Sequence, residues 1–309
     1  MNKKYNENKY LALSSVVIAL LIFVFFILGN YIIFITHLPA YLDMAVLLVL
    51  SIFAAVLIVF GFTIFSASIA DAMTTLRRML RTESLSNPLL LKLSSEAPGT
   101  YHHSLNVSNL AQKAAKAISA NSLLVRTAAY YHDIGKLENP KLYIENQSEE
   151  EIPADESDSS IRSRAEEIIS HVANGVKVAE SNNLPDDIID LISEHHGNMC
   201  ATYFYEMAKE RKLKIKKTDF RYSGPKPQTK ESIILMLSDC VEAAARAKQA
   251  LTKEDIGNIV EQAATDRIED KQISFSIVSE NELKKILQSL KETLGSIYHQ
   301  RISYKSHEN

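Results

Sequence analysis

The sequence predicts an all-α protein: a two-helix transmembrane hairpin followed by a cytosolic helical domain. Three observations carry this. Residues 10–36 and 44–70 contain no charged side chain, 27 residues in each run, and about 20 apolar residues suffice to span a bilayer as a helix. Apolar residues beyond position 89 recur at spacings of three and four, the helical period. Helix-start signals, such as Ser86-Asn87-Pro88 with its polar cap before proline, punctuate that periodic part.

The hairpin occupies residues 1–70, with spans at about 11–36 and 44–68. Both runs exceed the apolar core of a secretory signal, which is roughly 7–15 residues. A buried core helix is the alternative that composition leaves open for each run. The loop His37–Asp43 carries no Lys or Arg, whereas Lys3, Lys4 and Lys9 precede the first span and Arg77, Arg78 and Arg81 follow the second. The positive-inside bias therefore places both ends in the cytoplasm. Residues 71–98 form a helical linker in which Asp71–Arg81 continues the second span, its arginines at headgroup level.

The elements of the body follow in order. A short helix over Leu89–Ser95 is broken by Ala97-Pro98-Gly99-Thr100. Leu105, Val107, Leu110, Ala114, Ala117 and Ile118 mark the next helix, and Asn121-Ser122 starts another over Leu123–His132. Gly135 is expected to let the chain turn away after it. Glu145–Asp158 holds seven acidic residues with Pro153 and several serines, which predicts a solvated mobile loop. Helices resume at 161–181 and 185–195. Lys209–Lys217 reads as a charged helix face or loop, with a lipid- or phosphate-facing patch as the alternative. Phe220–Pro227 is a rigid Pro/Gly loop. Glu231–Lys248 is a helix carrying Asp239, and Ser279–Arg301 is amphipathic, with Leu283, Ile286, Leu287, Leu290, Leu294 and Ile297 on one side.

Composition narrows the function. Formal net charge is −3, so overall charge gives no sign of a nucleic-acid partner, and duplex nucleic acid is not expected. Cys200 and Cys240 are the only cysteines, and no CxxC occurs. That excludes a disulfide framework and a finger-type zinc site, and it fits a reducing cytoplasm.

Six of the nine histidines fall between positions 102 and 196. His132-Asp133 sets two metal-binding side chains one backbone step apart at the end of the apolar run Leu123–Tyr131. Ionisable groups there are costly unless paired or bound to metal. Asp239 has the same character within Ile233–Cys240, where a hydrogen-bonded core aspartate is the other reading. Imidazoles with carboxylates suit iron, manganese or zinc. HExxH, P-loop, GxGxxG and GxSxG patterns are absent from the sequence. Metal-assisted hydrolysis is what remains. His299 and His307 receive no role.

Glu96–Ser104, Tyr130–Lys136, Ile144–Gln147 and Phe220–Tyr222 with Gly224–Glu231 together resemble one family. Over roughly residues 85–305 they are similar to the HD-domain phosphohydrolases, and more narrowly to the cytoplasmic domain of the seven-transmembrane HD proteins. That family includes bacterial cyclic di-AMP phosphodiesterases. The resemblance implies an all-helical HD domain at 99–305 in a multi-pass protein of a bacterial cell membrane. It implies two divalent metal ions, manganese or iron, held by His103, His132, Asp133, His171, His195, His196 and Asp239. His103 is preferred to His102 because the family pattern places its ligand directly before a small polar residue and four before a valine, here Ser104 and Val107; His102 is then expected beside the ligands or in packing. Asp133 would bridge the metals, and Lys136 would hydrogen-bond or neutralise a substrate phosphate. The implied reaction is hydrolysis of cyclic di-AMP to linear pApA. Another nucleotide, a linear oligonucleotide, or binding of a cyclic dinucleotide without cleavage are the alternatives. Ser148–Asp158 stand where the family usually has Asn-Pro-His-Asp, and Ser223 where it has proline. No Gly-Tyr-Pro motif of the cyclic di-GMP subfamily is present. The hairpin is expected to meet the lipid bilayer, and it leaves room for a second copy of the chain or a separate membrane sensor as partner.

Overall fold

The computed structural model describes residues 23–24, 27–29, 31, 40–147, 158–248 and 251–302. They belong to two compact units, Met1–Leu80 and Arg81–Asn309. Among the described residues every regular element is helical, and an isolated bridge between Cys200 and Arg221 is the nearest approach to a strand.

The first unit is dominated by helix α1 (Ala40–Glu83), which runs without interruption through the expected continuation at Asp71–Arg81. It begins inside what the sequence suggested as a loop. Met44–Glu96 contains an 18-residue window of mean hydropathy 3.0, none of it buried, long and apolar enough to cross a membrane. Leu48, Val49, Val56, Ile58, Val59 and Phe62 all stand exposed. Several of its hydroxyls are satisfied locally: Thr63 Oγ1 donates to the Phe60 carbonyl at 2.7 Å and Ser68 Oγ to that of Ile64 at 3.0 Å. Such back-bonding pairs the hydroxyl hydrogen within the helix itself, as an apolar surrounding would require. The first expected span, 11–36, lies outside the described residues apart from six positions, which are helical.

The second unit opens with α2 (Pro88–Glu96). Asn87 caps it by accepting from the Leu89 amide at 2.9 Å, and proline fills the first turn, where a missing N–H costs nothing. Ala97 then separates it from α3 (Pro98–Ala117), so the expected break is a single residue between two proline-started helices. α4 (Ser122–Tyr131) is capped by Asn121. α3 packs against α4, α8 (Lys230–Arg246) and α10 (Glu280–Ile302). Ala111, Ala114, Ala115, Ala128 and Ala129 are all buried in α3 and α4, and such small side chains allow backbones to come close. α10 buries Leu283, Ile286, Leu287, Leu290 and Leu294, as its amphipathic pattern predicts.

α5 (Asp158–Ser181) crosses the short 3₁₀ turn Ile134–Glu138 and packs on α6 (Asp186–Glu194). A satellite core joins Ile161 and Ala165 of α5 to Phe204 and Ala208 of α7 (Thr202–Glu210) and to Phe220. Leu213 and Ile215 pack against it, which pins the basic stretch while its lysines stay exposed. α9 (Lys253–Glu269) has no counterpart in the sequence reading, although its start is written there: Thr252 and Asp255 form a capping box.

Gly135 serves a purpose other than the expected turn. Its φ is not left-handed; Gly197, at φ 54°, is the described glycine that needs that region. A Cβ on Gly135 would strike the backbone carbonyl of His171 and the amide of Gly175. The glycine therefore lets α5 lie directly on the His132-Asp133 corner. Gly135→Ala must push that helix away, and overpacking of this kind costs about 1–3 kcal/mol. A thermal melt should show a Tm lowered by several degrees, together with weakened metal uptake, because His171 rides on the displaced helix.

Candidate metal centre

α3, α4, α5, α6 and α8 deliver seven ionisable side chains to one point. His103 comes from α3, and His132 with Asp133 from the end of α4. His171 comes from α5, His195 and His196 from the end of α6, and Asp239 from α8. All but His196 are buried. They form two groups, His103–His132–Asp239 and His171–His195–His196, and within each the ligand atoms lie within 4.8 Å of one another.

Asp133 stands between the groups. Its Oδ2 faces His132 Nε2 at 3.3 Å and His103 Nε2 at 3.6 Å, while Oδ1 faces His171 Nε2 at 3.3 Å and His195 Nε2 at 3.9 Å. Asp239 approaches His103 Nε2 at 3.0 Å and His132 Nε2 at 3.7 Å with one oxygen, and His196 Nδ1 at 3.6 Å with the other.

The outer nitrogens of the rings fix their orientation. Nδ1 of His132, His171 and His195 each donates to the carbonyl three residues earlier, Ala129, Ile168 and Ile192, at 2.8, 2.6 and 2.6 Å. A carbonyl can only accept, so in the neutral ring the lone pair sits on Nε2, aimed inward. Nδ1 of His103 instead meets the buried carboxylate of Glu242. His196 is held by its ring, stacked on Tyr222 with centroids 4.3 Å apart. Its side chain, at 17% exposure, is the most open of the seven and marks where the cluster meets solvent.

The electrostatics divide along the same line. Burial opposes the charged forms of His103 and His132, but neighbouring carboxylates outweigh it and raise both, His132 to about 10. Burial lowers His171, His195 and His196, aided at His195 and His196 by adjacent imidazoles, with His195 brought to about 3. Burial also works against the Asp133 and Asp239 carboxylates, yet Lys136 with His132 and His171 holds the first, and His103, His132 and His196 the second, well below the ordinary range. His132 Nε2 and His196 Nδ1 are buried without a hydrogen-bond partner. Buried polar atoms left so are costly, and a divalent cation satisfies such donors. Two imidazole–carboxylate sets with inward lone pairs therefore fit a pair of cations.

Lys136 sits at the edge of this cluster. Its ammonium is 2.8 Å from Asp133 Oδ2 and 2.7 Å from Glu145 Oε1, and 4.9 Å from the centre of the Tyr143 ring. Burial opposes its charge, but the two carboxylates prevail and raise its pKa. Glu145 is thus not part of a solvated acidic loop: it is largely buried and fastened to Lys136, with Thr100 Oγ1 donating to it at 3.2 Å. Residues 148–157 of that acidic stretch lie outside the described residues. His102 is exposed, its ring against Tyr101, so it neither backs the ligands nor packs in the core. The sequence reading gave no role to Glu242, Glu145, Tyr222 or Asn106. Glu242 was within reach of it, since a residue three after Asp239 shares its helix face.

A model of the HD domain matches residues 100–244. The cyclic-di-AMP phosphodiesterase PgpH of Listeria monocytogenes serotype 1/2a (strain 10403S) is 44% identical over 230 residues, 74% of this chain and 32% of the relative. The protein of the same name from Bacillus subtilis (strain 168) is 38% identical over 256 residues, 83% of this chain and 36% of the relative. The chain thus spans about a third of the length of these curated relatives. The crystal structure of the L. monocytogenes phosphodiesterase PgpH HD domain in complex with cyclic-di-AMP superposes with a TM-score of 0.64 at 43% identity, covering 70% of this chain and 100% of that one. With a seven-residue imidazole–carboxylate cluster on a helical frame and a solved relative matched along its whole length, the chain belongs to the HD-domain family.

Proposed function

We propose that this chain is a membrane-anchored, two-metal phosphodiesterase that hydrolyses cyclic di-AMP to the linear dinucleotide pApA. One observation carries the reading above the others: the two oxygens of Asp133 face different imidazole groups. A carboxylate so placed can bridge two cations. His103, His132 and Asp239 would hold one, and His171, His195 and His196 the other, with manganese or iron suited to the donors. Bound there, the pair would lower the pKa of a coordinated water and neutralise charge developing on phosphoryl oxygens. The substrate class is taken from the relatives that match this domain.

The chain's own residues supply positioning. The carbonyls of Ala129, Ile168 and Ile192 orient three ligand rings before substrate arrives. Lys136 fixes one oxygen of Asp133 and keeps its charge. In our reading it also offers that charge to a phosphate oxygen entering beside the metals. Tyr222 is anchored by its amide, which donates to the Met199 carbonyl at 2.9 Å, and presents its ring at the open, His196 side of the cluster. Pre-set dipoles and charges of this kind act without reorganisation as charge develops.

The anchor belongs to the same proposal. An exposed apolar helix and the Lys/Arg distribution support a hairpin with both ends cytoplasmic in a bacterial cell membrane, and lipid as its surroundings.

Asp133→Ala should abolish cyclic di-AMP turnover, a fall of about a hundredfold or more, while circular dichroism keeps the wild-type helical signal. Chromatography of cyclic di-AMP, cyclic di-GMP and linear diadenylate with manganese checks this. Undiminished turnover in the variant defeats the mechanism, tight binding without cleavage by the wild type makes the protein a receptor, and cleavage of linear substrate alone moves it to another HD activity.

Metal uptake should depend on pH with a definite sign. His132, with a pKa raised to about 10, carries a proton at neutral pH in chelator-stripped protein, and a cation must expel it. Affinity for manganese should therefore rise from about pH 6 to about pH 8, with proton release at each pH. Titration calorimetry in buffers of different ionisation enthalpy measures both. Affinity that is flat over this range, with no protons released, contradicts the assignment of His132 as a ligand.

A further inference from the structure

Four imidazoles of the cluster turn Nε2 inward, and their outer nitrogens are not backed alike. Three donate to backbone carbonyls, which are neutral. His103 alone among them meets a carboxylate, that of Glu242, which is 1% exposed. The other oxygen of Glu242 accepts from Asn106 Nδ2 at 3.1 Å, and Arg246 Nε lies 3.8 Å from the first. The register explains the meeting. His103 and Asn106 are three apart on α3, Asp239 and Glu242 three apart on α8, and Arg246 follows one turn later. Where α3 crosses α8, each helix thus supplies one residue to the cluster and one behind it.

A carboxylate behind a ligand imidazole locks the ring and makes its inward nitrogen a stronger donor than a carbonyl does. Among the described residues the group His171–His195–His196 shows no such support: its rings rest on two carbonyls and on Tyr222. The structure also offers no substrate-facing task for Glu242, since it lies on the far side of His103 from Asp133 and Asp239.

We propose that Glu242 is a positioning residue that makes the two cation sites unequal, giving the His103–His132–Asp239 site the tighter hold. This rests on the two-metal reading above. Loss of a partner of this kind lowers metal affinity by about 10–100-fold. The expected result is selective: one site weakens and the other does not.

The test is manganese titration of the full chain in detergent, followed by calorimetry and by electron paramagnetic resonance, with wild type, Glu242→Gln and Asn106→Ala. Gln keeps the shape and an acceptor oxygen but removes the charge. Asn106→Ala keeps the charge and frees one restraint, so it guards against a Gln variant that does not fold. Wild type should bind two manganese ions in unequal steps and give the spectrum of a coupled pair. Glu242→Gln should lose about 10–100-fold in the tighter step only, and should show a coupled pair only at higher manganese. Asn106→Ala should weaken the same step by a smaller factor. A wild type that binds two ions, with both steps unchanged or equally weakened in the variants, overturns the role of Glu242 alone. A wild type that binds fewer than two ions overturns the two-metal reading and this inference with it.

Discussion

The buried carboxylate of Asp133 is the constraint on which the domain depends. A lone carboxylate in such a place would neutralise itself by taking up a proton rather than stay charged. Here it is held ionised by Lys136 on one side and imidazoles on two others. Each of those partners arrives on a different element, so the charge is stable only when α3, α4, α5 and α6 are assembled. Gly135 then has one reason to be glycine: α5 must come near enough to bring His171 to Asp133 Oδ1. The polar cluster is in this sense a specification of the packing, placed where apolar contacts alone would accept other registers.

The same logic accounts for the 3₁₀ turns after the His-Asp pair. Lys136 must be satisfied as well as Asp133, and Glu145 is its second partner. The turn holding Glu145 is fastened to the start of α3. Asn146 Oδ1 accepts the Thr100 amide at 3.1 Å and its Nδ2 donates to Thr100 Oγ1 at 2.9 Å. Asn146 thus caps α3 from outside the helix, a service that Ala97 at the cap position cannot perform. A helix end lacking a local cap and a lysine lacking a full counter-charge are both satisfied by adjacent residues of one turn.

What could be read from the sequence follows the range of the physics involved. The helices of the body were legible because their signals are local: Asn87 before Pro88, Asn121 before Ser122, the leucine stripe of 283–294. Among the seven candidate ligands, His132, Asp133 and Asp239 stood out because ionisable groups in apolar runs have few bland explanations, whereas His103, His171, His195 and His196 were assigned through the family resemblance. Three things were not legible. Gly135 was assigned a turn, since a close approach of α5 exists only in three dimensions. Glu145 was assigned to solvent, because its neighbours in sequence are acidic and its partner is Lys136. The α9 helix was overlooked despite the Thr252–Asp255 box, its apolar residues being sparse. Glu242 lies between these cases: its helix register was available, but its partner, His103, stands 139 residues away.

α4 carries a second load that bears on how the domain begins. Tyr131, buried and next to His132, donates its hydroxyl to the Thr82 carbonyl at 2.7 Å, and Arg126 pairs with Glu83. Thr82 is itself buried. The last turn of α1 is therefore part of the fold of the second unit, which begins at Arg81. Cutting the chain after Glu83 would strand a buried tyrosine hydroxyl at the root of the ligand pair, and an unmet buried donor costs about 1–3 kcal/mol. The ten-residue helix that leads into His132-Asp133 is thus held at one face by the imidazole–carboxylate cluster and at another by the turn at Thr82 and Glu83. The physical boundary of the domain lies within α1, upstream of the Ser86-Asn87-Pro88 signal at which the sequence starts a new helix.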